Sequence, residues 1–182
     1  MSTIIILNGV SSAGKSSIAK ALQKLAGETF LRVALDDFIA MLPQGREFGR
    51  DWFPVVHHDT ADGPLPRIEN GKRGTQILAE MRRMVGGLAR CGFDVVVDEA
   101  CDAEAIRDYR VQAGTARLLV VKVDAPIATI QQRERERGDR LIGLGRGQAM
   151  FLHYGIEYDL TLDSSTAAPP DLAATILGSL RL

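Results

Sequence analysis

Long apolar runs are missing from this chain of 182 residues. The N-terminal run Ile4-Ile5-Ile6-Leu7 is far too short to cross a bilayer, and no charged segment precedes it. Neither a membrane anchor nor a signal peptide is therefore expected there. A surplus of one charge is missing too. Lys and Arg number 22 against 23 Asp and Glu, a formal net charge of −1, so no global basic field draws the chain to nucleic acid. Cysteine is scarce: Cys91 and Cys101 are the whole supply. Two thiols without an export signal read as reduced residues of a cytoplasmic protein. The pair His57 and His58 is too little for a zinc site. Repeats and low-complexity tracts are absent as well. What remains, 46% hydrophobic and 25% charged, is ordinary for a globular protein. The length fits one domain over residues 1–182, able to bury a core and a ligand.

The apolar runs are short, β-branched and spaced by helix-length segments. Strands are predicted at Thr3–Leu7, Phe30–Leu35, Phe93–Val97, Arg117–Val123 and Tyr158–Leu162. Helices are predicted at Ser16–Ala26, Asp37–Leu42, Thr75–Arg90, Ala103–Gln112, Pro126 to about Arg137, Gln148–Tyr154 and Pro170–Leu180. From Pro43 to Gly74 the pattern breaks down, and this stretch is set aside as an insertion. Alternation of this kind implies a parallel sheet covered on both faces, and "VVV" and "LLVV" suit strands buried on both sides.

Directly after the first strand comes "NGVSSAGKSS". Gly9, four residues, then Gly14-Lys15-Ser16 is the phosphate-loop pattern, placed between a predicted strand and a predicted helix as it requires. Backbone N–H groups of Gly9, Val10, Ser11, Ser12, Ala13, Gly14, Lys15, Ser16 and Ser17 would surround phosphate oxygens, aided by the helix N-terminus. Lys15 can reach the β- and γ-phosphates of ATP, and Ser16 can ligate Mg²⁺. Asp98, at the end of "VVVDEA", suits the second metal-holding position. Glu99 beside it could instead activate water, which would make the protein an ATPase.

Asp36 and Asp37 end the second strand, at the sheet edge where ligands bind. Asp36 is read as the base for an attacking hydroxyl, and Asp37 as the cap of the next helix. In "RERERGDR", Arg133, Arg137 and Arg140 fall on one helical face while Arg135 points away. Three guanidiniums beside a glycine-rich hinge suit a lid over about residues 133–147.

The whole chain resembles the chloramphenicol phosphotransferase-like family of P-loop kinases. The stretches that carry the resemblance are "IILNGVSSAGKSS", "ALDDFIAMLP", "VVVDEA", "RERERGDR" and "HYGIEYDLTLDSS". The resemblance implies an α/β P-loop kinase: a five-stranded parallel sheet with helices on both faces and an arginine-rich lid. It implies transfer of the ATP γ-phosphoryl group to a hydroxyl of a small molecule, a chloramphenicol-like antibiotic or related metabolite. The family's catalytic aspartate falls on Asp36, and its lid arginines on Arg133, Arg137 and Arg140.

The insertion, about residues 43–74, departs from what a chloramphenicol site would need. Gly49, Arg50, Trp52, Phe53, His57 and His58 make it polar, basic and aromatic. A nucleotide, sugar or metabolite kinase therefore stays open, as does an ATPase or switch using Glu99. A kinase of RNA or nucleotide sugars would need a basic groove, for which Arg46, Arg50, Arg67, Lys72 and Arg73 are available. The oligomeric state is open, a homo-oligomer included.

Overall fold

The alternating pattern folds as expected in the computed structural model, which describes residues 1–27, 30–138 and 141–180. The first half runs β1 (Thr3–Asn8), α1 (Lys15–Ala26), β2 (Phe30–Ala34), α2 (Leu35–Ile39), β3 (Val55–His58), β4 (Leu65–Ile68) and α3 (Lys72–Arg90). The second half runs β5 (Asp94–Glu99), α4 (Ala103–Ala113), β6 (Arg117–Asp124), α5 (Ile127–Arg137), α6 (Leu144–Ala149), β7 (Leu160–Asp163) and α7 (Pro169–Ser179). Five strands form one sheet in the order β2-β5-β1-β6-β7. Every neighbouring pair in it is parallel.

Side chains alternate across the strands, so each face of the sheet receives its own core. Ile4, Ile6, Val95 and Val97 pack with Leu78, Met81 and Val85 of α3 and with Tyr109 of α4. Ile5, Leu7, Val121 and Val123 pack on the opposite side with Ile18 and Leu22 of α1 and Ile176 of α7. The loops following β1, β2 and β5 emerge together at the carboxyl edge, where open α/β sheets bind ligands.

Four local expectations are corrected. β2 stops at Ala34, so Asp36 and Asp37 lie in the first turn of α2 rather than at a strand end. The N-cap of α2 is Ala34, and Asp37 instead pairs with Arg32 at 3.0 Å. Its predicted capping role therefore falls away. Within the 43–74 insertion, β3 and β4 form an antiparallel hairpin. Pro66 sits in β4 and a six-residue connection separates the strands, so neither alternation nor a two-residue turn announced it.

The last correction concerns the helix after the lid. It spans Leu144–Ala149, not Gln148–Tyr154. Its "GLGRG" sequence is poor helix material, so tertiary contacts must hold it. Glu134 of α5 supplies one: its buried carboxylate accepts the N–H groups of Gly143 (2.9 Å) and Gly145 (2.7 Å). The glycines supply the others by close approach. A Cβ on Gly145 would lie 2.4 Å from Ile130 and 2.9 Å from the Ser11 carbonyl, and one on Gly147 would lie 2.3 Å from the Pro66 carbonyl. Arg146 also pairs with Asp62 in the hairpin connection.

Candidate active site

The phosphate loop follows from β1. Gly9 lies where the chain leaves the sheet against β6, and a Cβ there would sit 2.2 Å from the Val123 carbonyl oxygen. Strand packing alone is enough to require glycine there. Ser12, at φ 61°, is the one described non-glycine residue with a positive φ, and Gly14 follows at φ 99°. Such conformations persist where the surroundings enforce them, and they turn successive N–H groups inward. The hydroxyls of Ser11 and Ser12 are buried with no hydrogen-bond partner among the described residues. Buried polar atoms are normally satisfied, so a bound ion, water or ligand group would complete them.

The first intrahelical bond of α1 runs from Ile18 N–H to the Gly14 carbonyl. The N–H groups of the first turn of α1 precede that bond and have no intrahelical acceptor. Two of the expected phosphate-binding amides are already used: Ala13 N–H donates to the Val10 carbonyl (3.2 Å) and Ser11 N–H to Gln148. Lys15 Nζ donates to the carbonyls of Gly9 (2.8 Å) and Val10 (3.0 Å) and lies 3.8 Å from Asp98 Oδ1. Ser16 Oγ donates to Asp98 Oδ2 at 2.5 Å. The loop and β5 thus bring together a hydroxyl and a carboxylate, the hard oxygen donors that Mg²⁺ takes one or two at a time while keeping water. Among the described residues no group of three or more His, Cys, Asp or Glu is arranged to hold a metal.

These residues line one cleft of about 1820 Å³. A single small ligand commonly occupies roughly 300–1,000 Å³, so the space suits two. Asp36 faces the same cleft as Lys15, Ser16 and Asp98. So do Arg133 and Arg137, whereas Arg135 does not line it. Arg133 is committed to backbone and loop: it donates to the Ser12 carbonyl (3.3 Å) and to Ser164 Oγ and the Ser164 carbonyl, both at 2.9 Å. It ties the phosphate loop to the β7–α7 connection. Arg140, the third expected lid residue, lies outside the described residues.

Glu99, the alternative water activator, has both carboxylate oxygens taken by protein donors. It is buried, with Oε1 accepting from Arg82 (2.7 Å) and Oε2 from the Tyr109 hydroxyl (2.6 Å). Burial, then the charge of Glu99, pushes the Tyr109 phenol well above its ordinary range. For Arg82, burial alone would weaken the cation, but Glu99 outweighs it and holds the guanidinium raised.

Other polar contacts near the loop were not predicted from the sequence. Asn8 accepts the Cys101 N–H through Oδ1 (2.7 Å) and donates to the Tyr158 hydroxyl (2.8 Å), tying β1 to two loops. The Tyr158 hydroxyl lies 2.6 Å from His153 Nδ1. Gln148 Oε1 accepts the Ser11 N–H at 2.6 Å, so α6 is clasped to the phosphate loop. The polar Asn8 ending an apolar strand was the one visible signal.

With this geometry in view, the comparisons with known proteins decide the family. The model of the family described as chloramphenicol phosphotransferase-like protein matches residues 2–181. The chain belongs to the chloramphenicol phosphotransferase-like family. A Mycobacterium tuberculosis (strain ATCC 25618 / H37Rv) member of the curated proteins, "Putative O-phosphotransferase Rv2636", is 31% identical over 183 aligned residues. The alignment spans 93% of this chain and 78% of that one. Solved structures share the fold. A sugar kinase from Janibacter sp. HTCC2649 matches with a TM-score of 0.71 at 18% identity, over 100% of this chain and 95% of that one. The Mycobacterium tuberculosis APS kinase CysC, in complex with AMPPNP and APS, matches with a TM-score of 0.67 at 17% identity, over 100% and 98%. The protein is accordingly a phosphotransferase, with the fold of the P-loop kinases.

The half-buried His153 leads to an expected pH dependence of stability. Burial, then the charge of Lys122, holds His153 below its ordinary value of 6.5. Burial also pushes Tyr158 up to about 12. A base with a lowered folded pKa contributes stability that is present above pH 6.5 and lost as pH falls through its folded value. Denaturant midpoints should therefore drop as the pH is lowered below 6.5, and His153→Gln should flatten that part of the profile. An unchanged slope in the variant would remove His153 from the response.

Proposed function

We propose that this protein transfers the γ-phosphoryl group of ATP to a hydroxyl of a small molecule. The observation that carries the reading is the single cleft shared by the phosphate loop, the Ser16–Asp98 pair and Asp36. The loop amides and Lys15 would hold the β- and γ-phosphates, with Lys15 leaving the carbonyls of Gly9 and Val10 for the triphosphate. Ser16 and Asp98 would hold Mg²⁺, which when bound neutralises charge on the phosphate oxygens. Asp36 would orient the acceptor hydroxyl and take its proton.

Arg137 would meet the transferring group from α5, while Arg133 holds the loop in shape. Arg140 is assigned to the same lid from the sequence alone. Chloramphenicol-like antibiotics and related metabolites are the acceptors suggested by the family's description; the hairpin insertion would decide among them. Such chemistry needs neither nucleic acid nor membrane, and a cytoplasmic enzyme fits the supply of ATP. No described helix is long and apolar enough to cross a membrane.

The test is a screen of hydroxyl compounds with purified protein and γ-labelled ATP, reading label on the acceptor. Label carried only to water, with no acceptor found, would favour an ATPase. Arg137→Ala should lower the transfer rate more than it weakens ATP binding, because a contact to the transferring group tightens in the transition state. Arg135→Ala should change neither measurably. Equal losses in both variants would make the charged face a solvated surface.

A further inference from the structure

The wall of the cleft also contains a guanidinium to which the proposed phosphate chemistry gives no role. Arg82 projects from α3, Glu99 ends β5, and Asp108 and Tyr109 lie on α4. The four meet at the cleft wall, with Arg82 and Glu99 both lining it. The Arg82 side chain is 12% exposed. Its Cζ stands 5.7 Å from the centre of the Tyr109 ring, and its Nη2 donates to Glu99 at 2.7 Å.

A guanidinium has five N–H groups, all donors. The Glu99 bond is the only hydrogen bond Arg82 makes among the described residues, and its Nε is buried with no partner. Asp108 approaches Nη1 at 3.8 Å, close enough for charge but too far for a hydrogen bond. Buried donors are normally satisfied. A held guanidinium with unspent N–H groups on the wall of a substrate cleft calls for ligand oxygens.

The charges around it decide which oxygens. Glu99 already neutralises Arg82, and Asp108 adds a second negative charge beside the pair. A carboxylate or phosphate brought here would meet a cation already matched and an extra acid. An uncharged carbonyl, amide or hydroxyl oxygen can take the N–H groups without that repulsion. Ile39, Phe53, Leu78 and Ala105 line the same cleft and suit an apolar body on the acceptor.

We propose that Arg82, held from behind by Glu99 and Tyr109, hydrogen-bonds an uncharged oxygen of the acceptor, and that this wall of the cleft selects uncharged over anionic acceptors. The proposal rests on the phosphotransfer reading above. It gives Glu99 a positioning role in place of water activation.

The test uses uncharged hydroxy-amides and hydroxy-ketones, chloramphenicol among them, with carboxylated counterparts of matched skeleton. Each is added to the full chain holding a non-hydrolysable ATP analogue, and the Arg82 Nε–H resonance is followed by ¹⁵N NMR. ADP release is then measured with ATP. Uncharged members should shift the resonance and stimulate release, and their carboxylates should do neither. Arg82→Gln leaves Glu99 buried and unpaired, so the charge-balanced double variant Arg82→Gln/Glu99→Gln is made beside it. The double variant should raise the acceptor KM by about tenfold or more with the KM for ATP unchanged. Glu99→Gln alone should narrow the preference by admitting carboxylates.

Carboxylates that bind better than their uncharged partners would overturn the proposal. So would an unaltered acceptor KM in the double variant, or a panel in which nothing moves the Arg82 resonance. Failure of the chain to bind the ATP analogue would instead strike the phosphotransfer reading.

Discussion

Lys15→Ala should yield a folded protein in which phosphoryl transfer falls by about 10²–10³-fold or more, the scale of losing one preorganised charge-stabilising donor. In the structure Nζ spans two loop carbonyls and stands near Asp98, so the ammonium already sits inside the loop it would serve. Removing it takes away the one side-chain cation that the loop itself provides. ATP binding should weaken alongside transfer, because the β- and γ-phosphates lose a contact in both ground and transition states. The fold should survive: Asp98 keeps Ser16 as a donor, and the hydrophobic faces of the sheet are untouched. Circular dichroism and a thermal midpoint check the fold, and titration with labelled nucleotide checks binding. Turnover near the wild-type rate would remove the loop from the mechanism.

Asp36→Asn should keep ATP affinity within a few-fold while lowering transfer to a working acceptor by about 10²–10⁴-fold. The low end is the expectation, because loose phosphoryl-transfer transition states ask little of the nucleophile and Asn can still orient a hydroxyl. Asp37→Asn is the control one residue away. Asp37 pairs with Arg32 at the surface, its side chain 53% exposed, so the variant should cost about 0–1 kcal/mol of stability and leave transfer intact. Rates and melting curves for the two variants therefore separate chemistry from surface pairing. Sensitivity at Asp37 alone would move the catalytic assignment by one residue. Insensitivity at both, with hydrolysis stopped by Glu99→Gln, would favour the ATPase despite the partners Glu99 holds.

The sheet was legible because β1, β5 and β6 are short apolar runs, and the phosphate loop because its residues are tied to a strand-to-helix turn. α6 was not legible. Its glycines predict a hinge, and it becomes a helix only because Glu134, Ile130, Ser11 and Pro66 crowd around it. Glu134 itself hid in "RERER", where a run of charges reads as a solvated face, yet its side chain is buried. Arg82 was hidden by its neighbour. Arg83 is exposed and pairs with Glu80, while Arg82 is turned into the cleft. One signal did separate them: Leu78, Arg82, Val85 and Ala89 recur at helical spacing, which puts Arg82 on the apolar side of α3.

The placement of α6 bears on the order in which substrates arrive. This short helix touches the phosphate loop through Gly145 and Gln148, α5 through Ile130 and Glu134, and the hairpin through Gly147 and Arg146. The contacts at Gly145 and Gly147 leave no room for an added methyl group, so there is little slack to absorb a shift on one side. If the proposed acceptor resettles the hairpin, the loop's reception of its nucleotide should change with it. Any gain in ATP affinity produced by a bound acceptor has to be returned, by the same factor, as acceptor affinity in the presence of ATP. Initial-velocity patterns for such an enzyme should show synergism between the two substrates, with α6 as the element through which each reports its presence to the other.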